Sequence, residues 1–217
     1  MRRYALSDII RYMDKEYLIK QLSDLSKSLG LDISGDVIGK AVGFSGFRVY
    51  SKGDILAREG DDAKSAGIVL NGVIRSYYID KDGNDITQFF AREGNLCIDS
   101  GLLGFTEMKA MWEALEDATV MLFDVKDMKD LIMSDENLKT LWIGILESGL
   151  RYKVYREGSF LVQNATERYL EYRKRYPDLS GRIPQRYIAT YLGITPESLS
   201  RIRSSLREET NGEAGQA

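Results

Sequence analysis

The stretch that most constrains the fold is residues 182–207, RIPQRYIATYLGITPESLSRIRSSLR. Pro184 suits the first turn of a helix, where a missing N–H costs nothing. Ile188 and Leu192 lie four apart on one helical face, and the small Ala189 lets a second helix cross closely. Gly193 can take the left-handed conformation that ends a helix and turns the chain. Ile194 fills the turn, Thr195 is an N-cap residue, and Pro196 follows at the first helical position. Leu199 and Ile202 then face back onto Ile188 and Leu192. The spacing predicts two short helices crossing at a tight turn.

This is the layout of a DNA-reading helix-turn-helix. A plain helical hairpin needs the same apolar spacing. The small residue, the turn glycine and the five apolar positions, all in register, favour the DNA reader. The outer face of the second helix carries Glu197, Ser198, Ser200, Arg201, Ser204 and Ser205, and is polar and cationic on balance. Glu197, Ser200 and Arg201 share the N-terminal half of one face, the part that enters the major groove, and are expected to read bases. Arg182, Gln185, Arg186, Thr195, Ser198, Arg203 and Ser204 are expected at phosphates.

Charge distribution agrees with this reading. The chain of 217 residues has a net charge of −3, which alone argues against nucleic acid. Residues 151–217 hold 12 basic and 8 acidic residues, whereas residues 1–150 hold 18 basic and 25 acidic. An acidic front and a basic back suit a sensor joined to a phosphate-binding module. Histidine is absent, which removes the commonest general base and transition-metal ligand. The lone cysteine, Cys97, cannot form an intramolecular disulfide. It reads as a small apolar residue inside a strand, with redox sensing as the alternative. The N-terminus is too polar for a signal peptide or membrane span, so a soluble cytoplasmic protein is expected.

Residues 4–29 are helical in pattern: Ile10, Met13, Tyr17, Leu18, Leu22, Leu25 and Leu29 recur at three- and four-residue steps before Gly30. From Phe44 the period changes to short apolar runs divided by glycine turns. Strands are predicted around Phe47–Val49, Ile55–Leu56, Ala66–Leu70, Val73–Ile79, Ile86–Phe90, Leu96–Ile98 and Val120–Phe123, with a hairpin at Lys81-Asp82-Gly83-Asn84. Many short strands of this kind imply a closed or double-layered antiparallel roll. Ser134 can cap a helix whose stripe of Leu138, Leu141, Ile145, Tyr152 and Tyr155 is nearly heptad. The stripe suits either a homodimer or packing on the chain's own roll. Gly158-Ser159-Phe160 is a candidate hinge. Asn164 with Glu167 forms a capping-box pair for a further helix, which is basic and aromatic. Glu208–Ala217, rich in Gly and Glu, read as a disordered tail.

The run Tyr50-Ser51-Lys52-Gly53-Asp54-Ile55-Leu56, then Glu59-Gly60-Asp61, Leu70-Asn71-Gly72 and the glycine hairpin, resembles the cyclic-nucleotide-binding-like β-roll. With the helix-turn-helix behind it, the chain is similar to the CRP/FNR family of bacterial transcription regulators over roughly Phe47 to Leu206. The resemblance implies an α+β chain in three parts. Helices and an effector-sensing antiparallel β-roll (a jelly roll, or double-stranded β-helix) would fill 1–133. A long dimerisation helix with its hinge would fill 134–160, and an all-α DNA-binding domain with the tail would fill 161–217. Neither the Tyr176–Pro184 link nor the tail has room for a convincing β-wing. The dimer would meet through Leu138, Leu141, Ile145 and Tyr152, and RNA polymerase would be a further partner.

The departures from the family pattern are specific. Ile98-Asp99 stands where a Gly-Glu phosphate cassette is expected, and Met108-Lys109 where an arginine would clamp a cyclic phosphate. A weak or absent response to cyclic AMP is predicted. An unknown small-molecule effector would instead meet Arg75, Cys97, Asp99, Ser100 and Lys109. One cysteine cannot hold an iron–sulfur cluster that needs four ligands. The E-x-x-S-R pattern with Pro196 before it resembles the FNR branch and implies a palindrome with TTGA-like half-sites. Two rivals remain: a cupin-like enzyme, which lacks its usual histidine ligands here, and a roll that binds a protein rather than regulating DNA.

Overall fold

The computed structural model describes residues 33–179 and 181–214, together with residues 16, 19, 20 and 23; for 209–214 only the backbone is described. The first described helix, α1 (Gly35–Gly43), is capped by Ser34, whose hydroxyl accepts from the Val37 N–H. Its Ile38 and Val42 are buried with Ile33, and Ile19 packs on the same cluster. The stripe residues expected in the N-terminal helix, Ile10, Met13, Tyr17, Leu18, Leu22, Leu25 and Leu29, all lie outside the described residues.

Eight strands follow: β1 (Gly46–Tyr50), β2 (Ile55–Ala57), β3 (Ser65–Asn71), β4 (Ile74–Ile79), β5 (Asp85–Ala91), β6 (Leu96–Cys97), β7 (Met111–Ala114) and β8 (Ala118–Asp124). They form two antiparallel four-stranded sheets, ordered β1-β8-β3-β6 and β2-β7-β4-β5. This is the expected double-layered roll. Every predicted strand is present. The one not predicted is β7, whose sequence Met111-Trp112-Glu113-Ala114 lacks β-branched residues; pairing between β2 and β4 makes it a strand. The space between the sheets is filled by Tyr50, Val69, Ile74, Cys97, Met108, Trp112 and Val120.

A helix the sequence reading did not anticipate, α2 (Val125–Ser134), leaves β8 under an Asp124 cap. The next helix, α3 (Glu136–Val162), is therefore capped by Asp135, whose carboxylate accepts from the Leu138 N–H at 2.9 Å, and not by Ser134. The hydroxyl of Ser134 instead donates to Leu131 O, closing the end of α2. The helix α3 runs unbroken through Gly149 and Gly158. The break expected at Gly158 falls at Gln163, which is extended at φ −97°, ψ 144°. Continuous helical bonding over 27 residues outweighs the intrinsic cost of two glycines.

Helix α4 (Ala165–Arg175) starts with the capping box of Asn164 and Glu167. Helices α5 (Gln185–Leu192) and α6 (Pro196–Ala214) complete the chain. The expected disordered tail is helical to Ala214: Leu206 extends the apolar stripe of Ile202, and Arg207, Glu208 and Glu209 are good helix formers with no breaker among them. Among the described residues no strand follows β8.

Gly72, between β3 and β4, illustrates how tightly the roll closes. Its φ is +98°, and a Cβ there would meet Ala118 Cα at 2.8 Å and Asp117 O at 2.8 Å. Gly72→Ala is expected to cost more than about 2 kcal/mol, the sum of strain and backbone displacement, measured by urea unfolding. An unchanged midpoint would mean that the turn relaxes freely.

Candidate nucleic-acid interface and the junction with the roll

The two terminal helices meet as the sequence predicts. Ile188, Ala189, Leu192 and Leu199 are buried in one cluster, with Ile194, Ile202 and Leu206 against it. Gly193 lies in the left-handed region at φ 69°, ψ 36°, and its N–H donates to Ala189 O and Thr190 O. A second reason demands glycine: a Cβ would sit 2.9 Å from the Phe160 ring at the end of α3. The Thr195 hydroxyl accepts from the Ser198 N–H at 3.2 Å, which confirms it as the cap of α6. Pro184 stands one position earlier than expected, as the N-cap of α5.

Burying that inner face leaves Glu197, Ser200 and Arg201 exposed together on the first turns of α6. The Arg201 guanidinium donates to Ser198 Oγ at 3.3 Å. The N–H of Glu197 itself and the Thr195 hydroxyl hold the Glu197 carboxyl below its ordinary value, so it is an acceptor at neutral pH. Gln185, Arg186, Thr195 and Ser204 are also exposed, while Ser198 and Arg203 are half-buried.

Arg182 is not available with them. Its guanidinium bonds Glu116 at 2.5 Å and Glu93 at 2.7 Å, with Asp178 at 3.4 Å. Two of these carboxylates belong to the roll, so the residue expected at a phosphate is here a clamp between the roll and the terminal helices. Burial works against the Glu93 carboxylate. Its bonds from Arg182 and from the Gly72 N–H nonetheless hold its pKa below the usual value. Arg92 of the roll adds a bond to Asp178 at 2.5 Å. No spacing rule distinguishes a phosphate-binding arginine from one that meets carboxylates presented 66 and 89 residues earlier.

The same junction takes Arg75 away from the effector pocket. Arg75 is 2% exposed. It bonds Asp85 at 2.6 Å, Glu113 at 2.8 Å and Thr87 at 3.2 Å. Its guanidinium lies 4.1 Å from the Tyr77 ring centroid and 3.6 Å from that of Tyr187 on α5. The Thr87 and Thr190 hydroxyls meet at 2.9 Å. Around them Phe90 packs against Tyr172, Tyr176 and Tyr191.

The other expected pocket residues are partly gathered. Cys97 closes the roll interior with no exposed surface, and burial pushes its thiol far up, so it is protonated and shielded in the native fold. Burial likewise raises the Asp99 carboxyl, with its own N–H and Lys153 working the other way. Ser100 Oγ accepts from the Lys109 N–H at 3.2 Å. The Lys109 ammonium turns outward, 3.7 Å from Glu107. Ile98 has φ +55°, a conformation that glycine takes without strain and a β-branched residue rarely does.

Of the helical stripe, Leu138 and Leu141 pack against the α1 cluster. Tyr152 lies against Phe89 at 5.9 Å and Tyr191, its hydroxyl 3.1 Å from the Tyr191 hydroxyl. Ile145 and Tyr155 are exposed, at 39% and 48%. Other large apolar side chains that α3 turns to the surface include Ile143, Leu146, Leu150, Val154 and Leu161.

Residues 47–135 match the family model of the cyclic nucleotide-binding domain. That span, from β1 into α2, is a roll of that type. Solved structures extend the likeness beyond the roll. FixK2 from Bradyrhizobium japonicum is 24% identical, with a TM-score of 0.67 over 76% of this chain and 86% of its own. CLP of Xanthomonas campestris, described as a c-di-GMP-responsive global regulator, is 16% identical, with a TM-score of 0.65 over 82% and 93%. A CooA mutant from Carboxydothermus hydrogenoformans is 18% identical, with a TM-score of 0.63 over 77% and 78%. The chain has the CRP/FNR fold. A search of curated proteins by sequence gave no match. No described helix is long and apolar enough to cross a membrane.

The junction makes a measurable demand on Arg75. Arg75→Met would leave Glu113 buried without its cation, at a cost of about 3 kcal/mol, read from urea unfolding of the whole chain. A loss below about 1 kcal/mol would mean that water already neutralises those carboxylates.

Proposed function

We propose that this chain is a homodimeric, DNA-binding transcription regulator, controlled through its β-roll by an effector other than cyclic AMP. The observation that carries the reading is the outer face of α6. Glu197, Ser200 and Arg201 project at its N-terminal end while Leu199 anchors the helix from beneath. Arginine meets guanine O6 and N7 with paired donors, and a glutamate accepts from a cytosine amino group. The hypothesised target is a palindrome of TTGA-like half-sites about one helical turn apart. Gln185, Arg186, Thr195, Ser198, Arg203 and Ser204 remain the phosphate set, from which Arg182 is removed while it holds Glu93 and Glu116. The effector side of the reading is supported by Trp112, whose indole N–H is buried in the roll with no acceptor. The solid interior and the outward Lys109 offer no cationic clamp for a cyclic phosphate. Cytoplasmic location and contact with RNA polymerase belong to the same proposal. A cupin-type enzyme leaves the presented face of α6 without a use.

The two-fold partner would pack on the outward stripe of α3. Ile143, Leu146, Leu150, Val154 and Leu161 recur at steps of three, four and seven, and Leu150 and Val154 are 64% and 63% exposed. An unpartnered stripe of this kind seeks a second apolar surface. Leu150→Glu is expected to give a monomer in sedimentation velocity, because dimerisation would bury a charge without a partner. A dimer of unchanged strength would sink this interface.

DNA reading is tested by fluorescence anisotropy on duplexes at two salt concentrations, after selection from a random library. Arg201→Ala is expected to lose about 1–3 kcal/mol and to relax choice at one G·C pair. Arg186→Ala should weaken all sequences alike and flatten the salt dependence. An Arg201→Ala variant with unaltered preference would refute the assignment.

A further inference from the structure

A cavity of about 270 Å³ opens where the end of α3, the helix α4 and the end of α5 meet. It lies outside the roll and behind the DNA-reading face. Four cations line it, Arg156, Arg168, Lys174 and Arg175, against one carboxylate, Glu171. That carboxylate is already engaged by Lys174 at 2.8 Å. Among the described residues, none of the three arginines has an ion-pair partner. Arg156 donates to Tyr191 O at 2.8 Å, and Arg168 to Leu192 O at 3.1 Å and Gln163 O at 2.6 Å. A guanidinium carries five N–H donors, so both keep donors free of these carbonyls. Arg175 lies 4.0 Å over the Tyr152 ring. Tyr152, Tyr155, Tyr172 and Tyr191 supply aromatic walls. The half-buried Arg156 and Arg168, with the exposed Arg175 beside them and no counter-charge among the described residues, make an anion site, and the rings favour a flat apolar body beside that charge.

We infer that this cavity binds a small anion carrying a single aromatic ring, the charged group held by Arg156, Arg168 and Arg175 and the ring set among the tyrosines. The volume suits one ring with its acid group and is below the usual range for drug-sized ligands. The position gives the ligand leverage. Its walls include Gln163, the extended residue between α3 and α4, and the two carbonyls at the end of α5 that Arg156 and Arg168 already brace. The inference stands on the cavity alone and does not require that the chain bind DNA.

The test is calorimetric titration of the full chain with benzoate, phenyl phosphate, inorganic phosphate and phenol. Benzoate or phenyl phosphate should bind, and whichever is tighter identifies the acid group. Inorganic phosphate and phenol should each be at least tenfold weaker, since each lacks one half of the ligand. Arg175→Met should weaken binding about tenfold with the melting temperature unchanged. Arg175→Lys should recover part of it. Lys174→Met, at an exposed position, gives a second reading should Arg175→Met fold poorly. Arg173→Met removes the same charge from the same helix outside this cavity and should leave binding intact. Absence of binding by both aromatic anions at about 10 mM, where a Kd near 1 mM would saturate the site, overturns the inference. So does equal loss in the Arg173→Met variant, or phosphate as tight as its phenyl ester.

Discussion

A buried positive charge determines how this molecule is put together. Arg75, the second residue of β4, stands on the outer face of the roll, where it has almost no contact with water. An isolated guanidinium would not be tolerated there. It persists because the neighbouring strands bring Glu113 and Asp85 to it and because Tyr77 covers one side. The other cover is Tyr187, which belongs to α5. The roll alone therefore leaves this charge half-finished, and docking α5 completes its shell. The same face carries Phe90, Val73 and Leu115, which share one apolar cluster with five tyrosines of α4, α5 and the link between them. The roll and the terminal helices are joined through a common core.

That core explains where sequence reasoning succeeded and where it stopped. The helix-turn-helix was legible almost residue by residue, because each requirement is local: a small residue, a left-handed glycine, a capped second helix. The strands were legible for the same reason, through alternation and glycine turns. What depends on distant partners was not. Met111–Ala114 becomes a strand only between two others. Arg75 and Arg182 carry no mark of their assignment, since an arginine that will meet carboxylates looks like one that will meet phosphate. One signal was present and unused. Three carboxylates, Glu93, Glu113 and Glu116, fall in or beside apolar strands of the roll, where an unpaired acid is costly. They imply cations arriving from elsewhere in the chain.

The long helix α3 shows the same limit differently. Its apolar residues are spread around the axis, so no single stripe announces an interface. One side is used by α1, the roll and the reader, through Leu138, Leu141 and Tyr152. The opposite side is left outward, with Leu150 and Val154 prominent on it. A helix apolar on both sides can serve two surfaces, and of the stripe read first from sequence Leu138, Leu141 and Tyr152 pack within the chain while Ile145 and Tyr155 face outward.

The roll's acidity acquires a structural meaning from Arg182. Glu93 and Glu116 occupy that guanidinium at 2.7 and 2.5 Å, the distances at which phosphate oxygens would otherwise meet it. Carboxylate and phosphate compete for one set of donors, and the intramolecular pair has the advantage of pre-paid proximity. Arg186 and Arg203 carry no such pair among the described residues, so α5 and α6 present cations without carboxylate partners there while the one nearest the roll is held. Any posture in which Arg182 reaches a DNA backbone must first part it from Glu93 and Glu116. It must also meet the desolvation already accepted at Arg75, if α5 moves with it. The sign of the charge on the roll thus bears directly on how freely the reader can leave it.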